Sequence, residues 1–194
     1  EVVEYKIPYR ETIKGKSDVQ GKHKKQSGGA GQYGDVFIRF ESTDEDFLFD
    51  EEVFGGAVPK NYFPAVQKGL EESLLEGPLG GFKVTGIHAT LYDGSYHPVD
   101  SNEQAFKTAA RLAFKKGIEE ADPILLEPVM KLEIKVPEEN MGDVMGDMNK
   151  RRGKILGMEP QEDGSQIILA EAPLAEVLTY AIDLRSQTSA RGSF

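Results

Sequence analysis

The first regular alternation of apolar and polar positions runs from Asp35 to Phe40, placing Val36, Ile38 and Phe40 on one face and predicting a half-buried strand. The segment before it, "YRETIKGKSDV", reads as extended and polar. After it, Glu41 to Glu52 is acidic with Phe47, Leu48 and Phe49 embedded, which predicts a solvated connection and a short strand. The stretch lacks the D-x-[DN]-x-[DN]-G spacing of a calcium loop. Helical spacing follows: Phe63, Val66, Leu70 and Leu74 share a face, and Gly77-Pro78 stops the helix. Beyond the "GPLGG" turn, Val84 to Tyr92 alternates again, with Ile87, Ala89 and Leu91 inward and His88 and Thr90 outward. This strand leads into "YDGSYHPVDS", a tight loop that carries His97. A second helix has a buried stripe of Phe106, Ala110, Ala113, Phe114 and Gly117 and ends near Glu120. Asp100 or Ser101 is placed to cap it, Ser101 and Gln104 having the spacing of a capping box.

"ADPILLEP" then punctuates the chain, predicting a first domain of residues 1–121 and a second of 122–194. The second reads β-α-β-β-α. Val129 to Val136 alternates, Asn140 to Arg152 is helical, Ile155 to Gln161 and Gln166 to Ala172 flank an Asp163-Gly164 hairpin turn, and Leu174 to Ser186 is helical. Met141, Met145 and Met148 recur at helical spacing as core filling. This order is a ferredoxin-like split β-α-β without its last strand, which would begin at Gly192-Ser193-Phe194, where the sequence stops. A domain of about 70 residues without that edge strand should be marginal alone.

Composition narrows the function. The net charge is −10, against a polyanion-binding surface over the whole molecule. Between Lys6 and Gln26, however, seven basic residues face two acids, a local +5 that leaves −15 on the rest. Beside this positive end stand Gly28, Gly29, Gly31 and Gly34, and glycine lets backbone N–H groups approach a phosphate or base with no side chain between. The absence of cysteine removes disulfides, thiolate metal sites and a cysteine nucleophile, and fits a reducing, cytoplasmic setting. No apolar run nears the roughly 20 residues that span a bilayer, so no membrane partner is expected. The chain opens on Glu1 without a signal peptide and reads as a piece of something longer.

Three chemistries fail on spacing. Gly15-Lys16-Ser17 ends like a phosphate-binding loop, but Arg10 stands where the required glycine belongs and no strand-to-helix turn surrounds it. Ser95, His97 and Asp100 offer a nucleophile, base and orienter, yet residues this close in one turn rarely converge, and no G-x-S-x-G elbow is present. His23, His88 and His97 are widely spaced for a metal site. The expectation is no catalytic residue, no metal and no cofactor in this chain.

The runs "YRETI", "GKHKKQSGGAGQYG", "GPLGGFKV", "GSYHPVDSNEQAFK", "LLEPVMKLEI", "PEENMGDVMGDMNKRRGKILGM" and "LRSQTSARGSF" together resemble the fourth and fifth domains of bacterial elongation factor G, a translational GTPase, in order and over essentially the whole chain. The resemblance implies an α/β (α+β) fold: a ribosomal-protein-S5-like first domain with a left-handed β-α-β crossover, then a ferredoxin-like βαββα(β) domain truncated before its last strand. It also implies a monomeric, ribosome-binding arm that enters the decoding region of the small subunit and promotes or locks tRNA–mRNA translocation. GTP and magnesium would belong to a domain absent from this sequence.

By the same resemblance, Gln26, Ser27, Gly28, Gly29, Ala30, Gly31 and Gln32 form one loop of the tip that meets RNA, and Gly94, Ser95, Tyr96 and His97 the other, His97 as an unmodified imidazole. Lys22, Lys24 and Lys25 lie behind to neutralise phosphates. Lys150, Arg151, Arg152 and Lys154 face the stalk-base region of the large subunit. Two positions depart from the family pattern: Ala30, where a basic residue is usual, and Pro98, where an acid usually follows the histidine. They keep a second reading open, a paralogous or ribosome-protection factor acting in rescue, recycling or antibiotic protection.

Overall fold

In the computed structural model, residues 6–26, 29–178, 180–188 and 191–194 are described. Contacts divide the chain into Tyr9–Leu126 and a second unit formed by Glu127–Phe194 with the segment that ends at Pro8. Both are mixed α/β, the expected class.

The first unit contains β1 (Arg10–Ile13), β2 (Ser17–Lys25), β3 (Gln32–Ser42), β4 (Phe47–Glu51), a 3-10 turn (Lys60–Tyr62), α1 (Phe63–Ser73), β5 (Ile87–Ser95), α2 (Glu103–Glu120) and β6 (Pro123–Leu126). Its main sheet has the order β2-β3-β5-β4, antiparallel except for the β4–β5 pair. Val36, Ile38 and Phe40 meet Val66, Leu70, Phe106, Ala110 and Phe114 in a core closed to solvent, with the Phe40 and Phe114 rings edge to face at 6.0 Å. α2 lies across β2 and β3 at very short range. A Cβ on Gly21 would collide with the Ala109 carbonyl, and one on Gly34 would stand 2.5 Å from the Ala105 carbonyl. Gly34 therefore serves helix packing rather than the glycine loop.

The "GPLGG" turn wraps a buried carboxylate. Glu11, on β1, is fully enclosed and accepts N–H bonds from Leu79 (2.7 Å), Gly80 (3.2 Å) and Phe82 (2.8 Å), which replace its lost hydration. β1 pairs with β6, so by contacts the first unit runs to Leu126. A four-residue strand opening on proline carries too little alternation to be seen beforehand.

The second unit contains β7 (Val129–Pro137), α3 (Met141–Lys150), β8 (Lys154–Pro160), β9 (Ser165–Pro173), α4 (Leu174–Val177) and α5 (Tyr180–Gln187), with sheet order β7-β9-β8. Leu132, Ile134, Val144, Met148, Ile168 and Tyr180 form its core, and Met141 and Met145 pack on its margin. Gly164, at φ 84°, closes the predicted hairpin, and Ser165 with Lys135 holds the Asp163 carboxyl down to about 2. The helix expected over Leu174 to Ser186 is described as two pieces. Ser193 pairs with Lys135 on the outer edge of β7, through reciprocal bonds of 2.9 and 3.0 Å. That is the side on which a ferredoxin-like fourth strand lies.

Gly34→Ala should destabilise the first unit by about 1–3 kcal/mol, because the added methyl forces α2 off the sheet. Gly146→Ala, on an exposed turn of α3 with open space around it, should stabilise the second unit by about 0.4–1 kcal/mol. Denaturant unfolding of both variants measures the contrast; a neutral Gly34→Ala would mean that α2 is not held at this distance.

Candidate nucleic-acid interface

One end of the β2-β3-β5-β4 sheet gathers the tip residues. β2 and β3 form an antiparallel pair whose register ends at Lys25 opposite Gln32, at this end of the sheet. Ser27 and Gly28 lie outside the described residues. Gly29 has φ 146° with nothing within 4 Å of a Cβ position, and Gln26, Gly29 and Ala30 are exposed. β5 brings Gly94 and Ser95 to the same end, where a register shift in its pairing with β3 makes Tyr92 an extra residue. The shift turns Gly94 to the core side, opposite Val36, and Ser95 to the open face, opposite Asp35. Strict alternation from Ile87 would have given the reverse.

A polar chain then ties the strands together on the open face. The Ser95 hydroxyl donates to Asp35 Oδ2 (2.7 Å) and lies 2.6 Å from the Tyr33 hydroxyl, while Gln20 Nε2 donates to Asp35 Oδ1 (2.7 Å). The loop after β5 is locked onto β3 by backbone. Tyr33 N–H donates to the Asp100 carbonyl (3.0 Å), and Ser101 Oγ donates to the Tyr33 carbonyl (2.8 Å) while accepting His97 N–H (2.8 Å). Ser101 is therefore occupied between the loops, and the cap of α2 is Asn102, whose side chain accepts Ala105 N–H (2.8 Å). Gly31 permits this closure, since a Cβ there would stand 2.7 Å from the Asp100 carboxylate.

His97 is half-exposed, and its Nδ1 accepts N–H bonds from Val99 (3.2 Å) and Asp100 (3.0 Å). An acceptor Nδ1 puts the proton of the neutral ring on Nε2, so the side chain offers a donor outward. Ser95 is bonded to Asp35 and Tyr33, and Asp100 Oδ2 lies 3.7 Å from Nδ1, beyond hydrogen-bond range. The other histidines have separate partners: His23 meets Gln32, and His88 sits between Asp50 (2.7 Å) and Glu41 (3.2 Å). Gly15-Lys16-Ser17 joins two strands, with Gly15 N–H bonded to the Ala121 carbonyl (2.8 Å).

Lys22, Lys24 and Lys25 are exposed on β2 next to the tip, Lys22 reaching over the Tyr33 ring at 5.5 Å. The four cations expected to face the large subunit divide. Arg151 is mostly buried, bonded to Asp147, Asp183 and the Glu176 carbonyl, with its guanidinium 5.0 Å from the Tyr180 ring centroid. Arg152 has φ 56°, the left-handed position after α3, and pairs with Glu127 (2.6 Å) and Glu176 (3.1 Å), which hold it charged. Lys150 and Lys154 are exposed. Nothing in local sequence separates these four, because the carboxylates that engage the arginines come from distant elements.

Two family models cover the chain: Elongation factor G, domain IV, matches residues 5–122, and Elongation factor G C-terminus matches residues 124–194. The chain belongs to the elongation factor G family. Its place is therefore among translation elongation factors. A crystal structure of a protein from Thermus thermophilus is 48% identical over 97% of the chain, with a TM-score of 0.87. The chain spans 28% of the length of that protein. Among the described residues, no helix is long and apolar enough to cross a membrane.

Arg151→Leu should cost the second unit about 2 kcal/mol, since it strands Asp147 and Asp183 beside the core. Lys150→Ala should stay within about 0.5 kcal/mol. Thermal or denaturant unfolding of the two variants distinguishes an internal arginine from a surface lysine.

Proposed function

We propose that this chain is the arm of a translation elongation factor that enters the decoding region of the small ribosomal subunit and promotes or locks the movement of tRNA and mRNA. The observation that carries the reading is the convergence of two loops from different strands, which sets slim glycine backbone beside the outward His97 Nε2–H with lysines behind. RNA duplexes are contacted through shape, backbone and 2′-OH groups, and a narrow tip of backbone and small polar side chains fits a shallow minor groove. The lysines neutralise phosphates, while the acidic remainder of the chain is repelled by RNA.

In this mechanism GTP, magnesium and hydrolysis belong to a domain outside this sequence, and the chain supplies no catalytic residue. It works in the bacterial cytoplasm as a monomeric steric pawl, occupying the site that tRNA and mRNA vacate and blocking their return. Lys150 and Lys154 meet the stalk-base region of the large subunit, while Arg151 and Arg152 hold the second unit in shape. Ala30 and Pro98 favour a second reading. A tip without a cation at position 30 or a carboxylate at 98 suits a paralogue acting in rescue, recycling or antibiotic protection. Movement of tRNA and mRNA by the full-length protein in a reconstituted system decides between them.

For a translocase, His97→Ala in the full-length protein should slow movement about 10- to 100-fold, the loss of one hydrogen bond to a charged acceptor, while ribosome-stimulated GTP hydrolysis stays within about twofold. Rapid kinetics of both steps tests this; equal losses would make His97 a folding residue. Ribosome affinity should also fall with salt at a log–log slope of roughly 0.7–0.9 per neutralised phosphate. Replacing Lys22, Lys24 and Lys25 by alanine should lower that slope by about 2–3. An unchanged slope would make them merely solvated.

A further inference from the structure

Phe54 is the most exposed large apolar side chain among the described residues, at 92%. Its position in the sheet is informative. β4 runs parallel to β5 and ends at Glu51 opposite Leu91, and Glu52 N–H then bonds to the Leu91 carbonyl (2.8 Å). A few residues on, Val58 is fully buried against Gly94, near the end of β5. Residues 53–57 therefore turn over at the same end of the sheet as the Lys25–Gln32 pair, where the glycine loop connects β2 to β3, and the 96–100 loop. The three loops form a row across four strands, about 14 Å at roughly 4.8 Å per strand spacing.

The loop is held firmly. Val53 packs on the core and its N–H is taken by the Glu51 carboxylate (2.9 Å), while Gly55 and Gly56, at φ 64° and 70°, make a turn that side-chain-bearing residues adopt poorly. The ring is thus presented on fixed backbone. The flanking acids already have partners, Glu51 on Val53 N–H and Glu52 on Arg39. Tyr96 and Val99 are also exposed at this end, at 49% and 82%, and Lys22, Lys24 and Lys25 lie at its β2 side. Exposed rings on rigid loops, with cations at the β2 edge of the same row, suit unpaired nucleotides, a base stacking on a ring while phosphates further along the strand meet ammonium groups.

We infer that the 53–57 loop is a third RNA-contacting loop of the tip, with Phe54 stacking on an unpaired nucleotide; this rests on the reading of the tip as an RNA interface. Phe54→Ala and Phe54→Leu in the full-length protein should weaken ribosome binding about 5- to 150-fold, the span of one lost base–aromatic stack, while Phe54→Trp retains it. Because the ring buries little, all three should unfold as the parent does. A benzophenone amino acid in place of Phe54, and separately in place of His97, then identifies the neighbour on irradiation with bound ribosomes. RNA adducts from both positions are expected. RNA adducts from position 97 with protein adducts or none from position 54, or equal binding by the Leu and Trp variants, overturns the stacking loop alone. No RNA adduct from either position overturns the reading of the tip as well.

Discussion

The tip depends on how closely α2 approaches the sheet. Gly21 and Gly34 leave no side chain between the strands and the helix backbone, and that contact sets where the first turn of α2 begins. Because Ala105 lies against Gly34, the chain leading into α2 passes beside the first residues of β3. The Tyr33–Asp100 backbone bond and the Ser101 bridge follow from that placement. His97 is thus positioned by helix packing, and its own loop only completes the arrangement.

Electrostatic engagement separates the charges that shape the fold from those left free to act. Glu11 is enclosed by three N–H donors, and Arg151 is enclosed by two carboxylates and a carbonyl, so both stabilise local architecture and have their hydrogen-bonding groups engaged within the fold. The lysines of β2 are exposed, where a charge is cheap to keep and is available to phosphate. A formal count of positive residues cannot make this distinction. Position relative to distant carboxylates does.

Much of the fold was legible because its core faces are periodic. Val36, Ile38 and Phe40 alternate, and the α2 stripe from Phe106 to Gly117 keeps helical spacing. What escaped was tertiary in origin. Ser101 has the capping-box spacing, but its hydroxyl is bonded across to Tyr33, so the cap falls on Asn102. The extra residue at Tyr92 breaks the alternation that would have aimed Ser95 at the core. At the site, the glycine hairpin and the His97 loop were found through family resemblance rather than spacing. The 53–57 loop falls just after the acidic stretch from Glu41 to Glu52, in a segment with no periodic pattern. Its nearness to the tip follows from the parallel pairing of β4 with β5, which no local pattern encodes.

Rigidity links these features to recognition. A loop that must order on binding loses conformational entropy at that moment, which weakens the contact it makes. Here the ordering is present beforehand: Nδ1 of His97 is anchored by two backbone donors, the following loop by Tyr33 and Ser101, and the Phe54 turn by half-buried Val53 before it and buried Val58 after it. Each anchor is a backbone or core interaction, so the exposed groups can change without loosening the scaffold. Ala30 illustrates the consequence. It lies between Gly29, with open space around it, and Gly31, pressed against Asp100, at a point where a side chain meets solvent and nothing of the fold. A change of residue there alters what the tip presents to solvent and leaves the geometry of His97 intact, so the surface chemistry of the tip can vary on one scaffold.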